Sequence, residues 1–214
     1  MALGIPKQYP LTYLMWAALF GETVISLATG RYSTAFIGAL TFGLSLLPIL
    51  AHRFFGIRFP AGFVAATVFF IIATLFLGEV GGFYERYWWW DLLLHSGSAI
   101  GFGMIGTVLV ILLLGGTRLE ASAFLASVFA FTFALSIGAL WEIFEYGMDQ
   151  AFGLNMQKSG LDDTMGDLIV DCIGGLVGAS AGYTYIKLGP RGRLSGAIGL
   201  FVEQNFRSFR RTRR

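Results

Sequence analysis

Long apolar runs alternate with short polar breaks along the chain, at about residues 11–29, 33–51, 60–81, 91–115, 121–148 and 164–187. Each is long enough to cross a bilayer core as a helix, which takes about 20 residues. Short breaks favour antiparallel neighbours in one compact bundle. The pattern predicts an all-α, polytopic membrane helix bundle of about six transmembrane helices, with 1–187 as one transmembrane domain and 188–214 as a basic tail. The first run spans and lacks a clear small-residue cleavage site, so it reads as a membrane helix and not as a leader.

The polar positions inside the runs carry more information than the runs. In 164–187 and just before it, Asp163, Asp167 and Asp171 recur every four residues and form one slowly drifting stripe on a helix. Gly174, Gly178 and Gly182 continue close to that stripe. One face thus carries carboxylates at one end and a groove of small residues at the other. The groove admits a close neighbour, and the carboxylates need partners.

Composition agrees with a membrane protein: mean hydropathy is +0.69 and only 13% of residues are charged. The single cysteine, Cys172, excludes an intrachain disulfide and a thiolate cluster, and reads as a small helix residue. Net charge is +2, but the signs are segregated. In a six-span arrangement Lys7, Arg53, Arg58, Arg118, Lys187, Arg191, Arg193 and the tail from Arg207 to Arg214 share one side. Arg31, Arg86 and Lys158 take the other. The first side is therefore expected to be cytoplasmic, with both termini inside. The acids sort oppositely. Glu22, Glu79, Glu85, Asp91, Glu142, Glu145, Asp149, Asp162, Asp163, Asp167 and Asp171 lie in the outer half or outer loops, leaving Glu120 and Glu203 inside.

Three consecutive spans bring such residues to a similar depth. The fourth opens with WWWDLLLHSGS, where Trp88, Trp89 and Trp90 read as an interfacial belt and Asp91 and His95 share a face. The fifth ends with GALWEIFEYGMDQ, placing Glu142, Glu145 and Asp149 on one face with Gly138. The sixth begins with the aspartate stripe. Convergent carboxylates in low dielectric require protons, cationic partners or a bound divalent cation. Arg86 and Lys158 are too few to neutralise the set. Oxygen ligands with one imidazole suit Mg, Mn, Fe or Zn, whereas copper favours softer sulfur. The expected ligands are Asp91, His95, Glu142, Glu145, Asp163 and Asp167, with Asp149, Asp171, Glu79 and Glu22 as further candidates. Taken singly, each has a plainer role. Asp162 or Asp163 suits a helix cap, Glu145 suits interfacial water, His95 suits a satisfied buried imidazole, and His52 beside Arg53 suits the inner interface.

The motifs DLLLH, WEIFEYGMD and DDTMGDLIVDCIGG, in this order, resemble the YjdF-like proteins, multi-pass proteins of bacterial inner membranes. The likeness covers roughly residues 80–185. Asp91 and His95 match the first motif, and Trp141, Glu142 and Glu145 the second. Asp163, Thr164, Asp167 and Asp171 match the third, although the family often has Asn where Asp171 stands. The resemblance implies a bacterial inner-membrane location. A more distant similarity, to VanZ-like membrane proteins, transfers no residue.

In the tail, Phe201, Phe206 and Phe209 interleave with Arg207, Arg210 and Arg211, which suits a membrane-surface segment on anionic lipid and gives no case for nucleic acid. Gly97 and Gly101 suit packing better than a phosphate cradle, and no Walker, dinucleotide or serine-elbow motif is present. The DxxxD spacing resembles that of CDP-alcohol phosphotransferases, but their preceding Asp-Gly and Ala-Arg elements are missing. Three functions stay open. One is a metal-dependent hydrolase acting on an envelope or lipid-linked substrate. Another is a cation- or proton-coupled transporter, which the apolar inner halves of the last three spans oppose. The third is a non-catalytic structural or accessory protein.

The expected orientation is tested by single cysteines at Lys158 and Arg118. An impermeant thiol reagent added outside should label the first and spare the second; labelling of both from one side would refute the topology.

Overall fold

The computed structural model describes residues 7–114 and 122–211. Arg118, Glu120 and the tail side chains from Phe206 to Arg214 lie outside the described residues. Among those residues the chain is all-α, without strands: α1 (Pro10–Ala28), α2 (Tyr32–Ser45), α3 (Leu47–Phe55), α4 (Ala61–Ile71), a π-helix (Ile72–Val80), α5 (Phe83–Arg86), α6 (Trp90–Leu113), α7 (Ala123–Phe152), α8 (Leu161–Leu188) and α9 (Arg193–Arg211). Six helical segments among them are long and apolar enough to cross a membrane: Pro10–Ala28, Tyr32–Phe55, Ala61–Val80, Trp90–Leu113, Ala123–Phe152 and Leu161–Leu188. The chain is a polytopic membrane helix bundle. It divides into two compact units, Met1–Trp90 with Glu203–Ser208 and Asp91–Val202 with Phe209–Arg214.

Two spans of the first unit are less regular than their hydropathy predicts. The second is interrupted at Leu46, where Leu46 N bonds back to Gly43 O at 3.2 Å in a tight turn. Pro48 explains the break, because it has no N–H to give the carbonyl four residues earlier. The third passes from α-helix into π-helix at Ile72, and Trp90 Nε1 reaches the Ala73 carbonyl at 3.3 Å. Of the buried hydroxyls in this unit, Thr41 donates to Ile37 O and Ser45 to Phe42 O on their own helix, both at 2.7 Å, whereas Thr12 Oγ1 has no partner among the described residues. Trp16 Nε1 ties α1 to α2 through Ser45 Oγ at 2.9 Å. From α9, buried Asn205 accepts from Arg58 N and donates to Arg58 O, both at 2.7 Å.

The second unit is built on backbone proximity. A Cβ on Gly174 would strike the Ser96 carbonyl, one on Gly178 the Ile100 carbonyl, and one on Gly182 the Thr107 hydroxyl. The small-residue stripe of α8 therefore receives α6. Gly103 returns the fit, since its added Cβ would stand 3.0 Å from Gly178 Cα. On α7, Ala126, Ala130 and Ala134 repeat every four residues and are buried; an added Cβ on Gly106 would lie 2.8 Å from Ala130 Cα. At the far end Ile111, Ala126, Ala181, Tyr185, Ile186 and Ile198 close an apolar core. The tail expected at 188–214 begins as helix α9, anchored there through Ile198.

Gly178→Val should lower the thermal midpoint in detergent, because rigid backbone leaves no room; overpacking costs about 1–3 kcal/mol. Gly147→Ala on α7, with nothing within 4 Å of its new Cβ, should be neutral or stabilise by up to about 1 kcal/mol. Equal losses in both would contradict this seam.

Candidate metal centre

α6 and α8 start, and α7 ends, at the same end of the second unit, so the polar turns of all three helices converge. Helical spacing places Asp91 one turn before His95 on α6. The glycine seam then brings α8 close enough for Asp167 and Asp171 to reach the imidazole. Ligand atoms of Asp91, His95 and Asp167 all lie within 4.8 Å of one another. His95 Nε2 is 3.9 Å from Asp91 Oδ1 and 3.8 Å from Glu142 Oε1. On the other side of the ring, Nδ1 stands 3.3 Å from Asp171 Oδ2.

Burial makes the cluster unusual. Glu142 is 4% exposed and Asp167 1%. Both oxygens of each, and Glu145 Oε2, have no hydrogen-bond partner among the described residues. Thr164 and Gln157, joined at 2.6 Å, sit close to Glu142, yet neither of its oxygens meets hydrogen-bond geometry. A buried carboxylate without partners is costly, and several facing one another add repulsion. Lys158 is close enough to Asp91 to act on it electrostatically. One ammonium does not offset this set of acids.

The donor chemistry fits a divalent cation. Carboxylate oxygens and imidazole nitrogen bind Zn at about 2.0–2.2 Å, which puts even opposed ligands only about 4 Å apart. The 4.8 Å spread of Asp91, His95 and Asp167 would contract by small side-chain rotations. The orphan oxygens of Glu142 and Asp167 point to the same end, since they have chemistry to offer and nothing to offer it to.

The remaining candidates take other surroundings. Glu145 Oε1 accepts from Trp141 Nε1 at 2.9 Å, so it is buried beside the cluster and not at an aqueous interface. Asp163 Oδ2 accepts from Lys158 N at 3.2 Å. Neither it nor Asp162 caps α8, which starts after Gly160 and takes both into its first turn. Asp149 accepts from Met156 N (2.7 Å) and Gln157 N (2.9 Å), holding the turn between α7 and α8. Glu22 belongs to the first unit, where it pairs with Arg31 at 3.1 Å and accepts from Ser26. Glu79 lies exposed on the π-helix of that unit. Trp141, Gln157 and Thr164 were missing from the expected site. Trp141 and Thr164 had a signal in the motifs WEIFEYGMD and DDTMGD, and Trp141 also in its spacing of four from Glu145; Gln157 had none.

A family model for "Predicted membrane protein (DUF2238)" matches residues 11–188, and so contains every residue of the cluster. A protein of Thermotoga maritima named "Uncharacterized protein" is 34% identical over 98 residues, which is 46% of this chain and 50% of that protein. The similarity thus spans half the length of that relative. No solved structure matches.

Asp149→Ala should release two amides at a cost of about 1–3 kcal/mol. Faster amide exchange at Met156 and Gln157, with the metal content of the purified protein unchanged, is expected. A change in metal content would return Asp149 to the ligands.

Proposed function

The chain belongs to the DUF2238 family of predicted membrane proteins, and we propose that it holds a divalent cation between α6, α7 and α8. Asp91, His95, Glu142 and Asp167 are the ligands in this reading, with Glu145 and Asp163 beside them. The observation that carries it is the set of buried Glu142 and Asp167 oxygens without hydrogen-bond partners among the described residues, gathered around His95: Glu142 stands 3.8 Å from Nε2, and Asp167 offers a ligand atom within 4.8 Å of those of His95 and Asp91. Metal bundles of carboxylate and histidine use the same logic of inward-facing ligands on neighbouring helices.

Zn, Mn, Fe or Mg would supply Lewis acidity for hydrolysis of an envelope or lipid-linked substrate. Glu145, held by Trp141 through one oxygen and with the other unengaged, is placed to take a proton. Below the cluster, α6 and α8 close on each other at Gly103, Gly174 and Gly178. That packing supports a site open at one end over a transport path. The positive-inside pattern supports a site on the outer side of a bacterial inner membrane, with both termini in the cytoplasm. The YjdF-like likeness at 80–185 falls within the family match and accords with that location. The basic end of α9 then meets anionic lipid on the inner surface.

Elemental analysis of protein purified in mild detergent, without carry-over from an affinity-tag resin, tests the site. Near-stoichiometric metal is expected in the wild type, with loss in Glu142→Ala and in Asp167→Ala while both remain folded and inserted. Retention of stoichiometric metal in both variants would sink the assignment.

A further inference from the structure

His95 has a different neighbour on each ring nitrogen, and the two sides differ in kind. Nε2 faces Asp91 and Glu142 at 3.9 and 3.8 Å, in the cluster of unengaged oxygens. Nδ1 faces Asp171, its one hydrogen-bond partner among the described residues, at 3.3 Å, and Asp171 is only 1% exposed. The lone-pair directions of the two nitrogens diverge across the ring, so a cation on Nε2 lies out of reach of the Asp171 oxygen that Nδ1 addresses.

The place of that oxygen depends on a third helix. A Cβ added to Gly138 of α7 would land on the Asp171 carboxylate, with Oδ2 and Cγ as the closest atoms. No other side chain is among the nearest contacts of that added Cβ. Gly138 is thus the absence of a methyl group at the spot where α8 delivers a carboxylate to α6.

We infer that Asp171 is a positioning residue and not a ligand: it accepts Nδ1–H, holds His95 in the tautomer whose Nε2 lone pair faces the cluster, and does so in a space that Gly138 leaves open. This deepens the cation reading and rests on it for its consequence; without metal the tautomer is a property of the neutral ring, since a protonated imidazole donates from both nitrogens. Histidine ligands owe their orientation and tautomer to the partner of their second nitrogen, and removing such a partner typically weakens metal binding about 10–100-fold. Neither Asp171 nor Gly138 needs to touch the cation to set its affinity.

The chain has two histidines, so ¹⁵N NMR of imidazole-labelled protein in detergent reads His95 with His52 as internal reference. In chelator-treated wild type, at a pH alkaline enough to leave the imidazole neutral, His95 should be the Nδ1–H tautomer. Asp171→Ala and Gly138→Ala should each shift it toward Nε2–H, leave His52 unchanged, and raise the Kd for Zn or Mn about 10–100-fold. Asp171→Asn, which keeps an acceptor oxygen and the volume, should recover part of both effects. Should Gly138→Ala fail to fold, the double variant Gly138→Ala/Asp171→Ala is expected to fold, because the colliding carboxylate is gone, and to show the tautomer of Asp171→Ala. An unchanged tautomer in Asp171→Ala would overturn the inference, and with complete loss of metal would make Asp171 a ligand. A double variant that still does not fold would overturn the role of Gly138. A tautomer shift in a protein whose wild type takes up no metal would leave the positioning standing and remove the cation reading.

Discussion

Close approach of the α6 and α8 backbones is the constraint on which the second unit depends. Gly174, Gly178 and Gly182 present no side chain to α6, and Ser96, Ile100 and Thr107 occupy the space they leave. In a bilayer, where lipid tails are as apolar as leucine, such contacts supply the van der Waals gain that holds helices together. The same seam decides what happens one turn beyond it. With the backbones this close at Gly174, Asp171 on α8 cannot avoid His95 on α6, and Asp167 follows into the cluster.

That apposition carries an electrostatic cost which most of the surrounding acids escape. Asp149 is satisfied by two backbone amides, Asp163 by one, and Glu145 in part by Trp141. Glu142 and Asp167 are not satisfied, although both are more deeply buried than Asp91. A fold selected for stability alone would place apolar side chains at such positions, since buried unpaired carboxylates oppose folding. Retaining them is intelligible when the missing partner is a cation.

The first unit handles polarity differently. Buried Thr41 and Ser45 turn back on carbonyls of their own helix, Glu22 sits against Arg31 and accepts from buried Ser26, and the buried amide of Asn205 spends both ends on the Arg58 backbone, while Thr12 Oγ1 has no partner among the described residues. Apart from Thr12, these groups have what they need within the chain. An unpaired hydroxyl costs less than an unpaired carboxylate, so the gathering of unpartnered acids in the second unit is a stronger guide to the site than acidity alone.

Periodicity and hydropathy determined much by themselves. Six apolar runs specify the spanning helices, because length against bilayer thickness is a one-dimensional property. Spacing of three or four residues puts Asp91 beside His95, and Glu142 beside Glu145, because neighbours within one helix follow from its pitch. What lay beyond reach was how the helices rotate and stagger against one another. Only the packed glycines decided that Asp171 meets Nδ1 while Glu142 meets Nε2, and that Gly138 makes room for a carboxylate. Local breaks were decided in three dimensions too. Starting α8 at Leu161 turned Asp162 and Asp163 from caps into first-turn residues, and the turn after α7 folded back to claim Asp149. The physical reason is common to all of these: a helix's own pitch orders its side chains, but close contact between helices chooses which of them meet.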